Sequence, residues 1–145
     1  MRALIQRVNY AYLECQDYQT SINNGFIVFL GIKDDDNLED YNFILKKIKS
    51  IRIFSDNEGK INLNLKAVRG EILLVSQFSL YGDVKRNNRP SFTKSASKEL
   101  ALKYYEKLYH DLKKEFSVKK GVFGGHMHIT YLNDGPFTLM IDSRE

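Results

Sequence analysis

Two short segments hold the residues best suited to chemistry. SQFS, residues 76–79, sets two hydroxyls and a carboxamide at the end of an apolar run. Strands commonly turn polar where they surface, so the bland reading is a strand end meeting a loop. The functional reading is a site built from Ser76, Gln77 and Ser79 with backbone N–H groups nearby. NDGPFT, residues 133–138, holds one of only two prolines in the chain. Asn, Asp, Gly and Pro are all turn formers. Yet strand-like residues flank the segment, and proline lacks the N–H that a ladder needs. A cis Gly135-Pro136 bond would bend the chain sharply and present carbonyls, giving a rigid recognition element made of backbone.

Other groupings say less. His126 and His128 would share one face of a strand, a spacing open to a metal ion. With a single cysteine and no acid at a fitting distance in sequence, no metal is assigned to them. His110 falls on the second helix as a surface residue, and Cys15 reads as a small strand residue. The loop KRNNRPSFTK, residues 85–94, carries Lys85, Arg86, Arg89 and Lys94 with no acid among them. It reads equally as a track for a phosphate backbone and as a solvated loop. No G-x-S-x-G, P-loop, G-x-G-x-x-G or C-x-x-C pattern is present. An enzyme of this sequence works without a conventional cofactor and without a His-activated nucleophile.

The elements that must position these residues follow from periodicity. Residues 2–22 alternate as two or three short strands. FIVFLGI, residues 26–32, is continuously apolar, as a strand buried on both faces is. Residues 38–51 place Leu38, Tyr41, Leu45 and Ile48 at helical spacing behind the N-caps of DDDN. IRIF, residues 51–54, reads as a strand before the turn DNEGK. GEILLVSQFSLY is expected as one strand over 70–81. After the polar loop 82–94, a second helix runs from Ser95 or Ser97 to about Phe116, with the stripe Ala101, Tyr105, Leu108, Leu112 and Phe116. HITYL and FTLMID return to strands. This order predicts an α+β fold: a mostly antiparallel, barrel-like sheet core with two main flanking helices.

The chain has 145 residues and a net charge of +4, which fits one domain, residues 1–145, with a core of its own. One cysteine excludes an internal disulfide and suits a reducing, cytoplasmic setting. The charged start MRALIQRV is no signal peptide, and no apolar run is long enough to span a bilayer.

Over essentially its whole length the sequence resembles the D-aminoacyl-tRNA deacylase family, often called D-tyrosyl-tRNA deacylase. The resemblance rests on SQFSLY and NDGPFT in order, with MRALIQRV, IRIFSDNEGKINLN and the RPSF loop around them. It implies a cofactor-free homodimer that hydrolyses the ester between a D-amino acid, or mischarged glycine, and the 3′ end of tRNA. It also implies that Gly135 and Pro136 form a cis-peptide hook reaching into the partner's pocket as the chirality filter. Arg7 matches the arginine that holds the hook, and Asn133 and Thr138 match its frame. Ser76, Gln77 and Phe78 match the pocket wall, where the amides of Gln77 and Phe78 are candidates to hold the ester carbonyl oxygen.

Two positions depart from the pattern. Ser79 stands where threonine is usual, a position for which both a nucleophile and a lining role have been proposed. Serine keeps the hydroxyl, but no imidazole base is apparent beside it. Attack assisted by the tRNA's own terminal 2′-hydroxyl is therefore favoured. Gly125 and His126 replace an alanine and an acid or small polar residue, with His126 a candidate contact for the terminal adenosine. A tRNA-binding dimer without catalysis and an esterase using Ser79 as nucleophile are the competing readings.

Overall fold

The computed structural model describes residues 1–145. Its backbone is a six-stranded sheet. The strands are β1 (Arg2–Cys15), β2 (Tyr18–Ile22), β3 (Gly25–Gly31), β6 (Glu71–Ser76), β7 (Ser117–Lys120) and β8 (His128–Asp142). A two-stranded ribbon, β4 (Arg52–Ser55) and β5 (Ile61–Asn64), lies apart from it. The helices are α1 (Leu38–Ser50) and α2 (Lys98–Lys113). No helix is long and apolar enough to cross a membrane.

The path across the sheet is β2-β1-β3-β6-β7, with β8 on the far side of β1. Pairings of β1 with β2, β3 and β8 are antiparallel, whereas β3–β6 and β6–β7 are parallel. The sheet curls until its ends nearly meet: the Tyr18 hydroxyl of β2 donates to the Lys120 carbonyl of β7 at 2.7 Å. The expected α+β, barrel-like core with two flanking helices is therefore present, with a mixed sheet.

Alternation along the central strands feeds two cores. On β3, Phe26, Val28 and Leu30 face the larger cluster under the helices, and Ile27 faces the smaller one. On β6, Ile72 and Leu74 face the first and Leu73 and Val75 the second. Both strands are covered on both faces, which is why they read as unbroken apolar runs. β1 serves both cores in turn. Ala3 and Ile5 enter the larger, then Val8, Ala11 and Leu13 the smaller. Val8 faces away from Ile5 by simple alternation, and the bulge between Val8 and Ala11, where β1 has one residue more than β8, keeps Ala11 and Leu13 on the side of Val8.

α1 begins in a capping box. The Asn37 side chain accepts from the Glu39 and Asp40 amides, and the Asp40 carboxylate accepts from the Asn37 amide. α1 buries Tyr41, Ile44 and Ile48, while Leu38 is exposed. α2 begins one residue after its cap, Ser97, and ends at Lys113, shorter than the expected run to Phe116. It buries Tyr104, Tyr105, Leu108 and Leu112.

The expected strand over 70–81 is cut short. β6 stops at Ser76, and Phe78–Tyr81 forms a single 3₁₀ turn. HITYL and FTLMID, expected as two strands, are one strand with an excursion. Asn133 pairs with Val8 and Thr138 with Gln6, so residues 134–137 stand opposite Arg7 alone. Pro136 thus sits where β1 offers no partner, which removes the conflict between proline and the ladder.

Candidate active site

The end of β6 opens into a cleft of about 690 Å³. Ser76, Gln77 and Phe78 form one wall, and residues 123–127, after β7, form the other. Phe92, Ser95 and Lys98 close the side toward α2. Lys98 is the one lysine or arginine in the lining, and no carboxylate is present. Paired acids and carboxylate-assisted imidazoles are therefore absent from this cleft.

The 3₁₀ turn is what exposes the signature. Had β6 continued, Phe78 and Leu80 would share the face of Ile72 and Leu74 in the core. Instead Phe78 is 57% exposed and meets Phe92 edge-on, ring centroids 4.8 Å apart. The Ser95 hydroxyl donates to the Phe78 carbonyl at 3.1 Å and fixes the turn to the segment before α2. The Gln77 amide donates to the Leu30 carbonyl at 2.8 Å, so it is committed to the fold. Of the two amides that the resemblance offers for an oxyanion, this leaves Phe78 at the head of the turn. Ser79 is exposed and outside the cleft lining. Its hydroxyl accepts from the Gln77 carboxamide at 2.6 Å.

His126 lines the cleft, and its ring meets that of His128 edge-on at 5.1 Å. No three His, Cys, Asp or Glu side chains converge as a metal site requires. Gly125 is packed closely: a Cβ there would lie 2.8 Å from the buried Cys15 sulfur.

The Gly-Pro excursion is a separate structure. The Gly135-Pro136 bond is cis, Gly135 has φ +132°, and both residues are exposed. Arg7 underlies them. Its Nε donates to the Asp134 carbonyl at 3.0 Å, its Nη1 donates to the Ile53 carbonyl at 2.7 Å, and its guanidinium lies over the Phe137 ring. Asn133 spans the base, accepting from the Phe137 amide at 2.9 Å and donating to the Thr138 hydroxyl at 3.1 Å. Gln6 donates to the same hydroxyl at 3.0 Å and accepts from Tyr131 at 2.6 Å. Sequence reasoning missed Gln6, Tyr131 and Phe137 in this frame and Phe92 and Lys98 in the cleft. The strand alternation of Gln6 and Tyr131 carried no signal of it, because their register across β1 and β8 is a tertiary fact.

Ser76, Gln77 and Phe78 come together with His126, while Arg7, Asn133, Gly135, Pro136 and Thr138 come together elsewhere. No residue of the excursion lines this chain's cleft. From Ile129, at the cleft wall, to Gly135 is six residues of one strand, roughly 20 Å.

A curled α+β sheet with an SQFSLY turn at one cleft and an NDGPFT excursion on another face defines the class of tRNA deacylases. Within it, the chain belongs to the D-Tyr-tRNA(Tyr) deacylase family, whose model matches residues 4–142. It is 45% identical to the D-aminoacyl-tRNA deacylase of Thermosipho africanus, covering 100% of this chain and 99% of that one. It is 44% identical to that of Dictyoglomus turgidum, covering 100% and 94%. The fold also matches the solved c-Myc DNA Unwinding Element Binding Protein, with a TM-score of 0.91 at 33% identity, covering 98% of each chain. A probable eukaryotic D-amino acid tRNA deacylase shares the fold at 20% identity, with a TM-score of 0.84, covering 97% of this chain and 98% of that one.

Proposed function

We propose that residues 1–145 act as a single D-aminoacyl-tRNA deacylase domain. It hydrolyses the ester joining a D-amino acid, or mischarged glycine, to the 3′ end of tRNA and spares L-aminoacyl-tRNA. The observation that carries this reading is the exposed Gly135–cis-Pro136 hook, braced by Arg7 and Asn133 and remote from its own chain's cleft. A braced, exposed hook that does not line its own chain's cleft suits a second copy. The working unit is a homodimer in which each hook enters the partner's cleft. The protein acts in the cytoplasm, among its tRNA substrates.

The chemistry follows from what the two parts hold. The terminal adenosine enters the cleft beside Phe78, with His126 as its neighbour. The partner's hook presents fixed backbone carbonyls to the α-amino group, which every substrate shares. A D-side chain then points to solvent and an L-side chain into the wall, so discrimination is steric. Glycine has no side chain to exclude and passes. The Phe78 amide holds the carbonyl oxygen as it gains charge, and Gln77 and Ser76 orient the ester. Ser79 has no imidazole or carboxylate among its hydrogen-bond partners, so the tRNA's 2′-hydroxyl assists the attacking water, and orientation supplies much of the rate.

The test is deacylation of matched D-Tyr-tRNA and L-Tyr-tRNA without added metal. Rapid loss of the D-ester alone is expected. Survival of both esters would overturn the reading, and equal cleavage would remove the hook as a filter.

A further inference from the structure

The loop between β6 and α2 is an arm, and its charges are distributed unevenly. Asp83 and Ser91 exchange two backbone hydrogen bonds, 2.8 and 2.9 Å, and close its base. Lys33 bridges to Ser95, and the Ala96 amide donates to the Ile32 carbonyl, so the base is stitched to the end of β3. Residues 84–90 project beyond the Asp83–Ser91 bridge, and all are exposed. The tip stands at most about 14 Å from that bridge.

The basic residues around the arm fall into two groups. Arg2, Lys33, Lys94 and Arg144 each have a carboxylate partner. Lys85, Arg86 and Arg89, all on the arm tip, have none, and neither does Lys98 at the cleft edge. The arm's sole acid, Asp83, sits at the base and is held by Lys94 at 3.4 Å. The same arm gives Phe92 and Ser95 to the cleft wall. The arm thus runs from the cleft edge, at Phe92 and Lys98, to a tip of three cations that no carboxylate pairs, and Val84 and Lys85 also line a second hollow with Arg2, Asp83, Lys94, Asp142 and Arg144. Solvated surface lysines and arginines are ordinarily interspersed with acids; a run of free cations on a projecting arm beside a cleft suits a polyanion.

We propose that the arm tip, through Lys85, Arg86 and Arg89, grips phosphates of the tRNA acceptor end beyond the nucleotide held in the cleft. The contacts position the acceptor end and carry no sequence information. This deepens the deacylase reading and rests on it for the identity of the RNA. It assigns the two jobs to different parts: the cleft and hook read the aminoacyl group, and the arm reads the backbone.

The test is binding of uncharged tRNA to the purified protein across a salt series, wild type against Lys85→Ala/Arg86→Ala/Arg89→Ala. The tip side chains are exposed, so the variant is expected to keep its fold. Affinity is expected to fall tenfold or more, with the log–log salt slope shallower by about two. Arg86→Lys/Arg89→Lys, which keeps both charges, is expected to retain most of the binding. An unchanged affinity and slope in the triple variant would overturn the inference, as would a wild type whose tRNA binding ignores salt. Binding that depends on the arm in a protein that cleaves neither D- nor L-Tyr-tRNA would support the arm and overturn the deacylase reading alone.

Discussion

No imidazole or carboxylate is hydrogen-bonded to the Ser79 hydroxyl. Its side-chain partner is the Gln77 carboxamide, which donates to it, and the nearby cleft holds no carboxylate. Ser79→Ala is therefore expected to lower single-turnover deacylation of D-Tyr-tRNA by less than tenfold. A loss of roughly a thousandfold or more, on the scale of removing a nucleophile, would restore the serine-esterase reading. Gly125 poses a packing question instead. A Cβ would lie 2.8 Å from the Cys15 sulfur and 3.2 Å from the Val122 Cβ. Cys15 occupies the space an alanine needs, which gives this departure from the family pattern a physical reason. Gly125→Ala is expected to destabilise by about 1–3 kcal/mol. Combined with Cys15→Ala, the loss should be smaller than the sum of the two single changes by about 1 kcal/mol. Additive losses in denaturant unfolding would show that the sulfur is not the obstacle.

At the scale of elements, the first turn of α1 and the end of the chain hold each other. Arg144 donates to the Asp40 carboxylate at 3.1 and 3.0 Å, and the Ser143 hydroxyl donates to it at 2.6 Å. The Arg144 guanidinium is the main reason the Asp40 carboxyl titrates well below the usual carboxylate range, with Ser143 and the Asn37 amide adding to it. A depressed folded-state value means the unfolded chain binds the proton more readily. The contribution is whole above the unfolded value, about 3.9, and is lost as pH falls toward the folded one. Arg144→Met is expected to be less stable than wild type at pH 7, with the gap closing below about pH 4. A gap independent of pH in urea unfolding would mean that Arg144 acts through packing rather than charge. Much at this scale was legible from sequence. FIVFLGI read as a strand buried on both faces because it leaves no polar position, and ILLV read as the apolar part of a strand. DDDN and the pair Ser95 or Ser97 read as helix starts because such side chains cap free amides, and the caps are Asn37 and Ser97. The strand limit at Ser76 was not legible, since FSLY keeps the alternation of EILLVS. The Gln77 amide makes the last ladder bond of β6, to Leu30, and Ser95 reaching the Phe78 carbonyl fixes the turn that follows, both long-range contacts. The parallel pairing of β3 with β6 was hidden for the same reason.

For the whole molecule, the residues themselves marked SQFS and NDGPFT as the two segments of interest, and only the resemblance implied that the second serves a partner rather than its own chain's cleft. NDGPFT read as a turn in conflict with its strands, and that conflict pointed to function. Its resolution, an unpaired excursion opposite Arg7, depends on the register of β1 against β8. The separation of hook and cleft makes a prediction about subunits. Gly135→Ala places a methyl group 3.0 Å from the Arg7 Nη2, at a φ of +132° that alanine rarely adopts. It should spoil the hook and spare the cleft. A Phe78→Ala/Gln77→Ala variant should spoil the cleft and spare the hook. Each variant alone is expected to lose most D-Tyr-tRNA deacylation. If each hook serves its partner, a heterodimer of the two variants pairs the intact hook of one with the intact cleft of the other. Its second site then carries both defects. Mixing equal amounts and allowing subunits to exchange should make half the dimers mixed, restoring about a quarter of wild-type sites. Within a single chain no exchange can place a sound hook beside a sound cleft. A mixture that exchanges subunits, as shown by mass spectrometry of differently labelled chains, yet stays inactive would confine hook and cleft to one chain and remove the dimeric site.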